Sequence, residues 1–154
     1  MAARIRWVQV APEAYKALSA VEAYAANSSV EKPLVELIKL RVSQINGCAY
    51  CIDMHWKDLR AGGETEQRLY GLDAWEESPY YTPRERAALE WAEAVTTLGH
   101  ERVSDRVYDV ARSQFNEREL VDLTMAIVAI NSWNRLGIAF RAEAGAYVPR
   151  RKHE

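Results

Sequence analysis

The stretch ELIKLRVSQINGCAYCIDMHWKDLRAGG, residues 36–63, decides the fold because it joins two helix-forming segments across one short break. Asn46-Gly47 ends the first segment, since both residues tolerate the left-handed conformations that terminate helices. Apolar residues recur at helical spacing on either side of this break. We therefore predict one helix over about Glu31–Ile45 and another over about Cys48–Arg60.

The same helical period recurs along most of the chain, whereas alternating strand-like runs are almost absent. Thr82 is a candidate cap, Pro83 takes the first helical position, and Glu85 completes a capping box. The pattern predicts an all-α fold. Further helices are expected at about Pro12–Ala26, Thr65–Leu72, Pro83–Leu98 and Ser104–Phe115, followed by a strongly apolar, buried helix that Asn116 and Glu119 cap.

The 154 residues fit one compact domain, residues 1–154, with its core at about residues 12–142. The polar, basic segment Arg141–Glu154 is predicted to be a tail or an arm. Lys plus Arg number 20 and Asp plus Glu 22, so no strong field favours nucleic acid or an anionic membrane as a partner. The first residues lack the apolar core of a signal peptide, so we expect a reducing cytoplasm.

Both cysteines of the chain lie three residues apart, at Cys48 and Cys51, and His55 follows one turn later. A free thiol with a pKa of about 8.5 is mostly protonated at neutral pH, so a reactive pair needs help. Cys48 lies at a helix N-terminus, which favours an anion, and His55 can reach back toward the Cys51 sulfur. Residues three apart on a helix are also neighbours, so the pair could form an active-site disulfide.

Two alternatives to redox chemistry remain open for this pair. The cysteines could be small core residues, or Cys48, Cys51 and His55 could supply three ligands to zinc. A structural zinc site needs a fourth ligand, and His100 and His153 have no ligand-like neighbours in the sequence. We expect those two histidines to be solvated and the protein to bind no metal.

With Glu36 the pattern becomes Glu-x11-Cys-x2-Cys-x3-His, which resembles the AhpD-like alkylhydroperoxidase branch of the carboxymuconolactone decarboxylase family. The later segments RERAALEWAEAVT and INSWNRLGIAFR resemble its closing helices. The resemblance implies that Cys51 attacks peroxide, that Cys48 is the resolving and partner-facing thiol, and that His55 with Glu36 activates Cys51. By itself the sequence would make Glu36 only a surface partner for Lys39.

The resemblance further implies a homotrimer or homohexamer that reduces hydroperoxides, or the disulfide of a peroxiredoxin-type partner, with electrons from an external dithiol and no cofactor. One departure concerns Tyr50, since well-known members carry histidine next to the second cysteine. A phenol cannot act as a base at neutral pH, but it can donate a hydrogen bond. Muconolactone decarboxylation, which other branches catalyse without the cysteine pair, and a non-catalytic helical assembly are the rival functions.

Polar and aromatic residues of the later helices have less specific interpretations. Trp56, Trp91 and Trp133 could line a pocket, but at helical spacing we favour core or interface packing. Polar groups on a buried helix need partners, so capping or interface hydrogen bonds are expected for Asn131, Asn134 and Arg135.

Overall fold

A computed structural model describes residues 2–100 and 102–149, and all of their regular structure is helical. This confirms the predicted all-α class. The elements are α1 (Trp7–Val10), α2 (Pro12–Ala26), α3 (Lys32–Asn46), α4 (Ala49–Ala61), α5 (Glu66–Tyr70), a 3₁₀ helix (Leu72–Ala74), α6 (Pro83–Thr96), α7 (Asp105–Gln114) and α8 (Glu117–Phe140).

The helix boundaries follow the predicted start and stop signals closely. Thr82 caps α6 in a complete capping box, and Asn116 does the same for α8. The sequence missed α1, because a single turn at Trp7–Val10 is too short to show a helical period. The predicted helix near Thr65–Leu72 is shorter, since it ends at Tyr70 before Gly71 and the chain continues as a 3₁₀ turn.

Helix α3 forms the centre of the fold, packing against α4, α6 and α8. Its residues Leu37, Ile38, Leu40 and Val42 are almost completely buried. A helix that buries apolar side chains around most of its circumference is typical of a core element. Helix α8 buries a face as predicted, but it also exposes Val121, so α3 is the more enclosed helix.

After α8 the chain turns back over α4 and forms an arm, as predicted, over residues 141–149. Arg141 has a left-handed backbone, with φ 56°, and ends the helix. Lys57 of α4 donates hydrogen bonds to the carbonyl oxygens of Gly145 (3.1 Å) and Tyr147 (3.0 Å). Residues 150–154, which include His153, lie outside the described residues.

None of the helices in the described part of the chain combines the length and the apolar character that crossing a bilayer requires.

Candidate active site

The break between α3 and α4 sets the position of the two cysteines. Gly47 adopts the left-handed conformation that ends α3, with φ 71°, a region that favours glycine. Cys48 is then the N-cap of α4, in extended backbone, and its amide donates to the Ser43 carbonyl at 3.0 Å. Cys51 is the third residue of the helix, and its amide donates to the Cys48 sulfur at 3.4 Å. The two sulfur atoms are bonded to each other as a disulfide.

The disulfide is buried beneath the C-terminal half of α8. Cys48 is 1% exposed and Cys51 is 2% exposed. A Cβ atom added at Gly137 of α8 would lie 3.2 Å from the Cys48 sulfur and 3.7 Å from the Cys51 sulfur. The α8 backbone therefore approaches both sulfurs so closely that a side chain at this position would press on the Cys48 sulfur. Gly137 was not among the residues predicted for the site, although an isolated glycine within a helical pattern indicates such a close approach.

His55 and Glu36 meet between α3 and α4. His55 is buried, and its Nδ1 lies 2.8 Å from Glu36 Oε2. Burial opposes ionisation of the Glu36 carboxyl, but the hydrogen bond to His55 and the charge of Lys39 outweigh it and lower the pKa to about 2. An ionised carboxylate only accepts hydrogen bonds, so in the neutral ring the proton lies on Nδ1.

The other ring nitrogen of His55 has an unusual environment. Nε2 is buried and has no hydrogen-bond partner among the described residues, so it does not bond to the cysteine sulfurs in this disulfide form. A buried polar atom without a partner is destabilising and calls for an explanation. A ring nitrogen without a partner, one helical turn after Cys51, is free to take part in proton transfer, and a disulfide carries no proton for it to accept.

Lys39 of α3 forms an ion pair with Glu36, the carboxylate that binds His55. Its side chain is only 3% exposed, and its ammonium forms ion pairs with Glu36 (3.4 Å) and with Glu22 of α2. Glu22 also accepts a hydrogen bond from the indole nitrogen of Trp133, at 3.2 Å. The expected Glu36–Lys39 pair is therefore present, but Lys39 is in the interior, because this face of α3 is covered by neighbouring elements.

A further carboxylate lies beside the pair. Asp58, Glu36 and His55 each offer one potential ligand atom within 4.8 Å of the others. Asp58 accepts a hydrogen bond from the Tyr147 hydroxyl of the arm, at 2.8 Å. The ammonium of Lys39 against Glu36 disfavours a cation here. The disulfide-bonded cysteines do not offer thiolate ligands either, so the zinc alternative gains no support from this geometry.

Hydrogen bonds between amide side chains hold the last turn of α3 against α8, just before the cysteines. Asn46 donates to the side-chain oxygens of Asn131 and Asn134, both at 2.9 Å. Asn134, which is fully buried, donates in turn to the Ser43 hydroxyl at 3.1 Å, and Arg135 donates to Asn131 at 2.8 Å. The polar groups of α8 thus form hydrogen bonds within the chain that hold α3 and α8 together just before Gly47.

The other residues singled out in the sequence are buried to different extents. Tyr50 is half-buried against the core, and its predicted hydrogen-bonding role stays a prediction. Trp91 is buried and donates to the Thr124 hydroxyl at 3.0 Å. Trp56 borders an open groove of about 480 Å³ on α4, which Ala49 and Ile52 also line. His100 is exposed, as expected.

The fold and site together define a class: an all-α protein with a disulfide-forming cysteine pair at a helix N-terminus and a buried Glu–His pair beside it. The sequence pattern of the Carboxymuconolactone decarboxylase family matches residues 12–94. The chain belongs to this family, and its relatives identify it as an AhpD-like member.

The similarity extends over nearly the whole chain in two cases. An uncharacterised protein, YdfG of Bacillus subtilis, is 47% identical over 146 residues, which cover 95% of this chain and 99% of that protein. The crystal structure of an Agrobacterium tumefaciens protein of unknown function, suggested there to be the antioxidant defence protein AhpD, has a TM-score of 0.91 and 42% identity, covering 95% of this chain and 100% of the other.

A shorter match connects the chain to a named enzyme. The alkyl hydroperoxide reductase AhpD of Bradyrhizobium diazoefficiens is 46% identical over 43 residues, which is 28% of this chain and 24% of that relative. The chain therefore matches about a quarter of the AhpD sequence. The family thus includes enzymes, while YdfG, which matches this chain over nearly its whole length, is uncharacterised.

Proposed function

We propose that the protein is a thiol-dependent antioxidant enzyme that reduces hydroperoxides through a Cys48/Cys51 dithiol–disulfide cycle. The observation that carries the proposal is the disulfide at the N-terminus of α4, formed beside the buried Glu36–His55 pair. The family relationship to AhpD supports the same chemistry. A base, a helix N-terminus and two sulfurs within bonding distance are the parts that such a cycle needs.

The cycle begins with the reduced pair. The Cys51 thiolate attacks the terminal oxygen of the O–O bond, the alkoxide leaves as an alcohol after taking up a proton, and Cys51 becomes a sulfenic acid. The Cys48 thiolate then attacks the Cys51 sulfur and forms the disulfide, and the hydroxide that it displaces takes up a proton and leaves as water. Two electrons and two protons from an external dithiol restore both thiols, so peroxide reduction and dithiol oxidation balance.

His55 serves in this proposal as the base that deprotonates Cys51. Its Nδ1 is held by Glu36, and Nε2 is the nitrogen without a partner. The positive end of the α4 dipole favours a thiolate at either cysteine, and the amide of Cys51 donates directly to the Cys48 sulfur. Cys51 at the third helical position receives this help together with the base.

Burial of the sulfurs favours a small substrate over a protein. A folded partner cannot touch Cys48 at 1% exposure, so its partner-facing role requires the cover formed by α8 to move. We propose an organic hydroperoxide as substrate and a dithiol as reductant, with a peroxiredoxin-type protein as the second candidate for the disulfide partner.

The test compares two single substitutions in the reduced protein. Cys51→Ser should abolish turnover of an organic hydroperoxide with a supplied dithiol. Cys48→Ser that has been reduced and freed of dithiol should still consume one equivalent of hydroperoxide and then stop as a sulfenic acid at Cys51, which a dimedone-type reagent traps. Unchanged turnover in Cys51→Ser would show that the peroxidase proposal is wrong.

The rival functions have separate outcomes. A muconolactone decarboxylase would release carbon dioxide from its substrate, and the release would persist when both cysteines are replaced by serine. A non-catalytic thiol module would show neither reaction. We expect no carbon dioxide release, because the cysteine pair has no role in that chemistry.

Assembly and compartment also remain proposals. Helix α8 exposes Val121, Val128 and Ile138, and apolar surface of this kind is common at subunit interfaces. We propose a homotrimer or homohexamer in a reducing cytoplasm, where the dithiol form would be regenerated. Light scattering on the purified protein measures the assembly directly.

A further inference from the structure

Lys39 occupies an unusual position for a lysine, because its side chain is almost completely buried. Lysine is rarely buried unless it is paired, since removing its charge from water is costly. Here two carboxylates surround the ammonium, Glu22 from α2 and Glu36 from the preceding turn of α3. Burial opposes the charge on Lys39, but both carboxylates outweigh it, so the pKa of Lys39 is raised.

The two contacts of the Lys39 ammonium reach different parts of the fold. The bond to Glu22 alone would fasten α3 to α2, and Trp133 already holds Glu22 in place by its indole N–H. In the second contact, the Lys39 ammonium lies against the Glu36 carboxylate, which is also hydrogen-bonded to Nδ1 of His55. The charge therefore also acts on the histidine, through Glu36.

The groups around Glu36 show why a cation matters there. Its carboxylate faces Lys39 from its own helix and His55 from α4, and Asp58 lies nearby with the Tyr147 hydroxyl bonded to it. Without Lys39 two carboxylates would lie beside one imidazole, a group of net charge minus two that favours taking up a proton. That proton would reside on His55 and occupy Nε2.

We propose that Lys39 is a positioning residue for His55: its buried ammonium keeps Glu36 ionised, so that Glu36 accepts from Nδ1, and offsets the carboxylate charge that would otherwise draw a second proton onto Nε2. The charge relationship stands on the geometry alone, but its use in catalysis rests on the proposed peroxidase function. Glu22 holds the ammonium in place and acts one step further from the imidazole.

The test follows the ring nitrogens of His55 by nitrogen-15 NMR as a function of pH. The oxidised protein is used, so that no thiol titrates, and the His55 signals are assigned by comparison with His55→Gln. In the wild type at about pH 7.5, Nδ1 should be protonated and Nε2 unprotonated. In Lys39→Met, the pH at which Nε2 takes up a proton should rise by about one unit or more.

Three further variants make this result specific. Lys39→Arg keeps the charge and should restore the wild-type titration. Lys16→Met removes an exposed lysine of α2 and should leave the titration unchanged. If Lys39→Met does not fold, Glu22→Gln with Lys39→Met removes the leftover carboxylate as well, and it should show the same upward shift.

The proposal is wrong if wild-type Nε2 carries the proton at about pH 7.5, or if the Lys39→Met titration coincides with that of the wild type. Turnover supplies an independent reading. Lys39→Met should lower the hydroperoxide rate about tenfold at neutral pH and recover as the pH rises, because the base is then freed. If the wild type turns over no hydroperoxide, the proposed function fails, while the NMR result still decides the role of Lys39.

Discussion

Two helix starts in this protein are fixed by reciprocal hydrogen bonds. At α6 the Thr82 hydroxyl accepts from the Glu85 amide at 3.2 Å, and the Glu85 carboxylate accepts from the Thr82 amide at 2.8 Å. At α8 Asn116 and Glu119 make the equivalent pair at 2.9 and 2.8 Å. In each case an N-cap residue and the third helical residue satisfy each other's backbone groups.

The start of α4 has the same geometry with different chemistry. Cys48 is its N-cap and Cys51 its third residue, so the disulfide joins the two positions that a capping box joins elsewhere. A thiol is a weak hydrogen-bonding group, so reduction leaves this helix start with a poorer cap than the others. The start of α4 is therefore held by a covalent bond that reduction breaks and oxidation restores. The starts of α6 and α8 are held by hydrogen bonds that do not depend on the redox state.

The largest expected effect is on catalytic rate, which should depend on His55 of α4 and not on the cap of α6. His55→Ala should lower the rate of hydroperoxide reduction by about 10²–10⁴-fold, the usual contribution of a positioned base. Thr82→Ala should leave this rate within about twofold, because its cap serves stability alone. Initial rates with an organic hydroperoxide and a dithiol measure both. Equal losses of rate in His55→Ala and Thr82→Ala would contradict the expected difference in function between α4 and α6.

The stability of the oxidised protein should depend on Gly137, because the α8 backbone at this residue approaches the disulfide at the start of α4. Gly137→Val introduces a Cβ about as close to the Cys48 sulfur as the 3.2 Å described above, and it should lower the free energy of unfolding by roughly 2 kcal/mol. Helix propensity alone predicts the opposite sign. Ala139→Val, at an exposed position of α8, is the control in denaturant unfolding. A stabilised Gly137→Val would contradict the close approach.

Replacing a permanent cap should have a smaller cost. Thr82→Ala and Asn116→Ala should each lower the free energy of unfolding by about 1 kcal/mol, and by the same amount in oxidised and reduced protein. Urea unfolding with and without a dithiol measures this. In the same samples, amide exchange at residues 49–52 should accelerate on reduction, while exchange at residues 84–86 stays constant. Acceleration at both places would mean that the redox effect is global.

The smallest effect concerns acid pH. The pKa of Glu36 is lowered from 4.5 to about 2, so its ionised form favours the folded state above 4.5 and loses that advantage as the pH falls through about 2. The stability difference between wild type and Glu36→Gln should therefore shrink on acidification over this range. Burial opposes ionisation of Glu85, but Arg68 and the Thr82 amide outweigh it and lower its pKa, so Glu85→Gln should show the same sign. A difference that grew on acidification would contradict both shifts.

Local rules predicted the parts of the molecule that local sequence determines. The caps at Thr82 and Asn116, the break at Gly47 and the helix start at Cys48 each depend on residues within one or two turns. They could be predicted because the groups that satisfy one another are neighbours in the chain. The family resemblance added Glu36, whose contact with His55 spans 19 residues.

The interior of the site could not be predicted in the same way. The spacing of Glu36 and Lys39 indicated an ion pair, but burial depends on helices that arrive from elsewhere in the chain. Trp133 and Glu22 are 111 residues apart, and Gly137 meets the cysteines only once α8 has packed on α3. Such contacts depend on tertiary packing, which single-sequence periodicity does not encode.

The most direct test of the central claim is the stoichiometry of the wild-type protein. Fully reduced protein is mixed with one equivalent of an organic hydroperoxide, and free thiols, the Cys48–Cys51 disulfide and the alcohol product are measured by mass spectrometry and chromatography. We predict that two thiols are lost and one intramolecular disulfide and one alcohol are formed per hydroperoxide. Intact hydroperoxide with both thiols still free would contradict the account.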